Sequence, residues 1–270
     1  MEKRIADLLS KKQYNVYDLA EIVKILRSEN GCPWDKIQTH QSIRNDFLEE
    51  VYEVIEAIDY DSEEMLREEL GDVLLQVVFH AEIETEKGTF DLDDIANDIC
   101  KKLIIRHPHV FGDVTADTVD TVLNNWDSIK KETKGQESYT DTLKSVPKVF
   151  PSLMRAQKLG KRASKANMDF KGVDDCFASL KSEVAEIQEA LDNGDKSAAA
   201  DELGDLLFSC ANLARKLGVD AEELLDRANE KFLKRFEAVE KQVLQDGLDM
   251  ASLDLETLDV YWEKGKLSEK

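Results

Sequence analysis

Apolar residues return every three or four positions along most of this chain, and no run alternates Val, Ile, Thr and aromatic residues as a half-buried strand does. The pattern predicts an all-α protein. In the first half it places helices over 17–28, 42–59, 62–86, 92–106 and 116–134, with the loop Asn30-Gly31-Cys32-Pro33-Trp34-Asp35-Lys36 joining the first two. In the second half it places them over 152–164, 174–192, 196–217, 220–244 and 255–264, broken at Asn193-Gly194 and Gly218. Between the halves, 135–147 is polar, lacks apolar periodicity and ends at Pro147, so it reads as a linker. The expected organisation is a helical domain over 1–134, a linker over 135–150 and a second helical domain over 151–270.

The two halves repeat one another at a fixed offset of 133 residues. Glu50-x-x-Glu53 followed by Glu69-x-x-Asp72 returns as Glu183-x-x-Glu186 followed by Glu202-x-x-Asp205, with Leu70-Gly71 opposite Leu203-Gly204. Acids are abundant here, so a single E-x-x-E would normally be a solvated helix face. Position argues otherwise. Glu50, Glu53, Val54 and Ala57 share one helical stripe, as do Glu183, Glu186, Ile187 and Ala190, so the carboxylates sit on largely apolar faces. Two packed helices would then aim four carboxylates at one another in each half. Such a cluster needs cations, because desolvation and like-charge repulsion both disfavour the ionised form, and all-oxygen ligands suit Mg2+ or Mn2+.

Two further elements follow each acid set in the same order. Lys102 and Arg106, then Lys231 and Arg235, are basic pairs at i, i+4. Trp126 with Lys130, then Trp262 with Lys266, place an aromatic plate one turn from a cation. Taken alone, the first arrangement is an ordinary surface pair and the second a docked helix. Together with the acids they describe a metal-bound nucleotide, in which carboxylates hold Mg2+, the cations hold phosphates and the ring contacts the base. Hydrolysis by metal-activated water is the simplest chemistry. His107 and His109 have no counterparts in the second half and read as structural or loop residues.

Composition narrows the classes. A formal charge of -21 argues against nonspecific binding of nucleic acid or anionic membrane, which relies on basic patches. The 4 cysteines form no C-x-x-C, so neither zinc site nor disulfide framework is indicated. There is no G-x-x-x-x-G-K-[ST] and no H-E-x-x-H. Without an apolar run suited to export or to crossing a bilayer, the expected location is the cytoplasm.

At these residues the chain resembles the MazG family of nucleoside triphosphate pyrophosphohydrolases, whose hallmark is E-E-x-x-E followed by E-x-x-D on neighbouring helices. Glu49-Glu50-x-x-Glu53 and Glu69-x-x-Asp72 fit fully, and Gly31-Cys32-Pro33-Trp34-Asp35 and Arg106-His107-Pro108-His109-Val110-Phe111 look like that family's amino-terminal signatures. Ser182-Glu183-x-x-Glu186 and Glu202-x-x-Asp205 fit with one departure, Ser182 in place of the first glutamate. The resemblance implies tandem all-α bundles of the NTP pyrophosphatase type, a homodimer, and Mg2+-dependent cleavage of an NTP or dNTP to NMP and diphosphate. It also implies metal ligation by Glu183, Glu186, Glu202 and Asp205, phosphate binding by Lys231 and Arg235, and closure by Trp262 and Lys266. Glu50, Glu53, Glu69, Asp72, Lys102, Arg106, Trp126 and Lys130 would act likewise in the first half, with Glu49 a candidate base there and the carboxy-terminal half the main catalytic one.

Two other classes compete. A carboxylate-bridged dimetal bundle also points glutamates inward, but uses Glu-x-x-His where this chain has Asp72 and Asp205. A regulatory nucleotide-binding module, with one or both sites inactive, would keep the ligands without turnover.

Overall fold

The computed structural model describes residues 1–115, 118, 119, 121, 122, 125, 126, 129 and 138–268. Among these there are helices, turns and no strand. The chain divides into two compact units, Met1–Lys130 and Lys131–Lys270. The first contains α1 (Glu2–Leu9), α2 (Val16–Arg27), α3 (Pro33–Ile37), α4 (Arg44–Asp59), α5 (Glu63–Lys87), α6 (Leu92–Arg106) and α7 (Pro108–Phe111). The second contains α8 (Tyr139–Lys144), α9 (Ser152–Ala163), α10 (Val173–Asp192), α11 (Lys196–Leu217), α12 (Ala221–Gln245) and α13 (Leu255–Ser268), with short 3-10 turns after α9 and α12.

The long helices agree with the hydrophobic period to within a residue or two at most ends. Of the short helices, α3 and α7 have too few turns to display a stripe, whereas α1 carries one at Ile5, Leu8 and Leu9. The polar segment before Pro147 holds α8, closed by a reciprocal cap between Ser138 and Asp141. Arg162 of α9 donates to the Thr142 carbonyl and to Ser145 Oγ, and Val146 is buried, so this stretch packs on α9. The helix expected over 116–134 falls largely outside the described residues, as does Lys130.

Each unit is organised by an antiparallel hairpin, α4 with α5 and α10 with α11, and the two turns are copies at the level of hydrogen bonds. Tyr60 and Asn193, equivalent in the repeat, both have φ -80 and ψ -4. The next residues cross to positive φ, Asp61 at 52° and Gly194 at 71°. Ser62 N–H then reaches back to the Ala57 carbonyl at 3.1 Å, as Asp195 N–H does to Ala190 at 2.9 Å. Ser62 and Asp195 cap the second helix through their side chains. Since only glycine occupies this backbone region without a Cβ penalty, Asp61→Gly is expected to stabilise the first unit by about 0.5–1 kcal/mol. A urea titration that places the variant's midpoint at or below the parent's would refute this.

Packing around the hairpins differs. In the first unit α5 (25 residues) outlasts α11 (22 residues) by one turn. Glu86 on that turn receives two 2.8 Å bonds from the buried Arg27, which also donates to the carbonyls of Asp35 and Gln38 and lies over Phe79. Arg27 thereby ties α2, the α3 loop and α5 around a core of Val23, Ile43, Val78, Phe79 and Ile83. In the second unit small residues, Ala156, Ala211, Ala214 and Ala221, let α9, α11 and α12 approach closely. Asp169 fastens the loop after α9 to Arg215 (2.5 Å) and Lys216 (2.7 Å), and these cations hold its carboxyl down at about 2.

Candidate functional site

Because the hairpin turns fix the rotation of each second helix, they bring the two acid motifs of each half together. Carboxylate oxygens of Glu50, Glu69 and Asp72 lie within 4.8 Å of one another, and so do those of Glu183, Glu186 and Glu202. Glu53 completes the first set, its charge acting on both Glu50 and Glu69. Asp205 acts on Glu202 by charge but stands outside its close trio. Partial burial, reinforced by Glu186, Asp205 and Glu183, pushes the Glu202 carboxyl above the usual range. Partial burial also raises Glu50, with Asp72 and Glu53 adding to it, and raises Glu69, with Glu53 adding to it.

The leading charges on all three residues are thus carboxylates. Helices that converge such groups without a protein cation among those charges have the donor set of a hard divalent ion, and the residues fit Mg2+ or Mn2+. Ser182, where the first half has Glu49, donates to Glu186 at 2.9 Å. It orients a carboxylate and cannot act as a base in its place.

The basic and aromatic residues follow different courses in the two units. In the first, Arg106 lies over the Trp126 ring at 5.3 Å and His107 meets the same ring edge-on at 4.9 Å. His107 also binds the Leu103 carbonyl through Nδ1 at 2.7 Å, in keeping with a structural role. Trp126 is therefore engaged by its own unit, and Lys102 is exposed on α6. In the second, Trp262 packs on Phe232 with ring centroids 5.4 Å apart. At Gly265 a Cβ would lie 4.0 Å from the Arg235 carbonyl, so α13 rests on the turn of α12 that carries Arg235. Lys231 is exposed, Arg235 is half-buried, and Lys266 pairs with Glu263. Phe232, Phe236 and Trp262 line a cleft of about 280 Å3 on that side.

One cluster escaped the sequence reading. Nδ1 of His40 and Nδ1 of His80 are 2.6 Å apart, and His40 Nε2 is 2.6 Å from Glu84. The ring planes differ by 14° and the centroids are 4.9 Å apart, longer than the N···N contact by about two ring radii, so the rings meet edge to edge, Nδ1 to Nδ1. Lys87, Thr89 and His40 hold the Glu84 carboxyl down at about 2. The signal was the stripe Asp72, Gln76, His80, Glu84 at successive i+4 positions. Its repeat equivalents, Leu213 and Leu217 opposite His80 and Glu84, are apolar, so this cluster belongs to the first half alone.

A family model described as the MazG nucleotide pyrophosphohydrolase domain matches the chain twice, over residues 38–111 and 172–240. A Thermotoga maritima protein named nucleoside triphosphate pyrophosphohydrolase/pyrophosphatase MazG is 41% identical over 249 residues, 92% of this chain and 94% of that protein. The Escherichia coli K12 nucleoside triphosphate pyrophosphohydrolase is 43% identical over 256 residues, 93% of this chain and 97% of that protein. An uncharacterized Bacillus subtilis protein, YabN, is 42% identical over 92% of this chain, which spans 51% of it. The matched spans enclose both carboxylate hairpins.

Proposed function

Since the chain belongs to the MazG nucleotide pyrophosphohydrolase family, we propose that it hydrolyses nucleoside triphosphates, ribo or deoxy, at the α phosphorus to give the monophosphate and diphosphate. The observation that carries this reading is the convergence of Glu183, Glu186 and Glu202 on one point. These three with Asp205 would hold Mg2+, or Mn2+ in its place, in the second half, and Glu50, Glu53, Glu69 and Asp72 would do so in the first. When bound, the ion supplies charge for the phosphate oxygens and lowers the pKa of water.

The chain's own groups do the rest. Lys231 and Arg235, one turn apart on α12, take the phosphates as point charge and planar fork. Trp262 supplies an aromatic face beside them, and Lys266 can leave Glu263 for a phosphate of higher charge. A carboxylate of the cluster orients the attacking water and accepts its proton, and expulsion of diphosphate completes the displacement. Glu49 is the candidate for that proton in the first half. Lys102, Arg106, Trp126 and Lys130 would be the corresponding substrate groups there. Because Trp126 already carries Arg106 and His107 on its ring, turnover is assigned chiefly to the second half.

The active form is proposed to be a homodimer in the cytoplasm, with no nucleic-acid or membrane partner. Val184 and Leu191 of α10, Leu203, Leu207 and Phe208 of α11, and Leu225, Phe232 and Leu233 of α12 are exposed in the single chain, more apolar surface than a monomer ordinarily leaves uncovered. Sedimentation equilibrium should return twice the chain mass of 30.6 kDa, and a monomer at micromolar concentration would count against it. No described helix is long and apolar enough to cross a membrane.

Chromatographic product analysis tests the reaction. Each common NTP and dNTP is expected to yield NMP and diphosphate with Mg2+, and nothing with excess EDTA. NDP and phosphate would relocate the cleavage and overturn the assignment.

A further inference from the structure

All 4 histidines of the chain, His40, His80, His107 and His109, lie in the first unit, and two of them meet in a way the proposed reaction does not use. His40 stands on the segment between α3 and α4, and His80 on α5 about two turns beyond Asp72. Their Nδ1 atoms are 2.6 Å apart, while His40 Nε2 lies 2.6 Å from Glu84. The segment is tied to itself: Thr39 N–H donates to Ser42 Oγ at 2.9 Å, Ser42 N–H donates to Thr39 Oγ1 at 3.2 Å, and Ile43 beside them is buried in the core. Arg27 anchors its start through the Gln38 carbonyl. His40 anchors its tip to α5, just ahead of the helix that carries Glu50 and Glu53.

We propose that His40 and His80 form an acid-sensitive latch, which at neutral pH fastens the segment leading into α4 to α5 and on acidification lets it go. Ring nitrogens at this distance form a hydrogen bond only when one carries the proton and the other a lone pair. Lys87, Thr89 and His40 hold the Glu84 carboxyl down at about 2, so near neutrality it only accepts, and the His40 nitrogen that faces it bears the hydrogen. In the neutral ring this leaves a lone pair on His40 Nδ1 and makes His80 Nδ1–H its donor. A second proton at the junction would set N–H against N–H. Around the pair, α5 supplies Glu84, bound also to Lys87 and Thr89, and α4 presents the Phe47 ring 5.6 Å from His80. The charges of α2, Glu21, Lys24 and Arg27, are turned toward Glu82 and Glu86. Burial, with the facing His40 adding to it, pushes the His80 imidazole below its usual range, so the released chain takes up the proton first. The latch therefore contributes fully above about pH 6.5, where a free histidine is neutral, and its contribution is lost as pH falls below that value. Val173 and Leu213, the second-half equivalents of the pair, cannot titrate. Acid thus loosens the entry to the first carboxylate hairpin and leaves the second alone.

Calorimetry of the intact protein from about pH 7.5 to about pH 5.5 tests the latch, with the histidine-free second unit as the reference in the same sample. No nucleotide is needed, so the result stands whatever reaction the protein catalyses. The transition of the first unit is expected to fall by about 5 °C relative to that of the second over this range. His80→Leu, which copies Leu213 of the second half, is expected to abolish that fall, and His80→Gln serves the same comparison should the first variant not fold. His107 and His109 are unchanged in both, so their titration cancels. Nitrogen-15 NMR of the histidine rings near neutral pH reads the protons directly, with hydrogen expected on Nε2 of His40 and Nδ1 of His80. A first-unit transition that holds or rises as pH falls, a fall that survives the substitution of His80, or any other placement of the ring hydrogens overturns the inference.

Discussion

Replacing Glu202 by Gln is expected to lower kcat/KM for triphosphate hydrolysis by at least about a thousandfold, roughly 4 kcal/mol of transition-state stabilisation. Glu202 stands where two helices converge, within 4.8 Å of Glu183 and Glu186, and most of the charge it experiences comes from other carboxylates. Removing its charge weakens the hold on any divalent ion and relieves repulsion in the metal-free protein. Activity falls while metal-free thermal stability is maintained or rises, a combination that loss of fold cannot produce. The equivalent change in the first half, Glu69→Gln, is expected to cost no more than about twofold, because the ring that would receive substrate there is already engaged by Arg106 and His107. If the Glu69 variant lost activity and the Glu202 variant kept it, the roles of the halves would be reversed.

Gly31→Ala is expected to destabilise the first unit by about 3 kcal/mol, lowering its melting temperature by about 10 °C. A Cβ at Gly31 would stand 2.2 Å from the Leu26 carbonyl oxygen and 2.3 Å from that of Ile25. Neither oxygen is free to yield: the first accepts from Cys32 N–H at 2.7 Å and the second from Ser28 N–H at 3.2 Å. Relief would pull the loop off the end of α2 and disturb Arg27, the residue that binds Glu86 and two loop carbonyls. Calorimetry should register the loss in the transition of the first unit and leave that of the second in place. A shift below about 2 °C would mean that this backbone gives way more easily than its bonds suggest.

The sequence disclosed the carboxylate hairpins because every relation that builds them is local. Glu50 and Glu53 share a helix face, Glu69 and Asp72 share another, and a three-residue turn joins the helices that carry them. The same locality made helices such as Lys196–Leu217 legible from end to end. Contacts that depend on how distant helices cross were hidden. His40 finds His80 across 40 residues, and Phe232 meets Trp262 only because α13 folds back on α12. A spacing rule sees Trp262 and Lys266 on one helix, but not the wall of phenylalanines opposite, nor that Lys266 faces Glu263. The helix at Tyr139–Lys144 was concealed differently: its Ser138 and Asp141 cap was readable, but its apolar contacts are too few to set a period.

The matched turns at Tyr60–Ser62 and Asn193–Asp195 have an evolutionary corollary. One residue added to either would rotate the helix that follows by about 100° and advance it by about 1.5 Å, turning its two acids out of the cluster while leaving most of its own hydrogen bonds intact. Insertions elsewhere on the surface are tolerated by drift, but in these turns they amount to a frameshift of the whole hairpin, which scatters the carboxylates and also turns Val78, Phe79 and Ile83, or Ala211 and Ala214, away from the core. After duplication the side chains around each hairpin were free to diverge, from His80 to Leu213 and from Asp61 to Gly194, whereas the length of the turn was not.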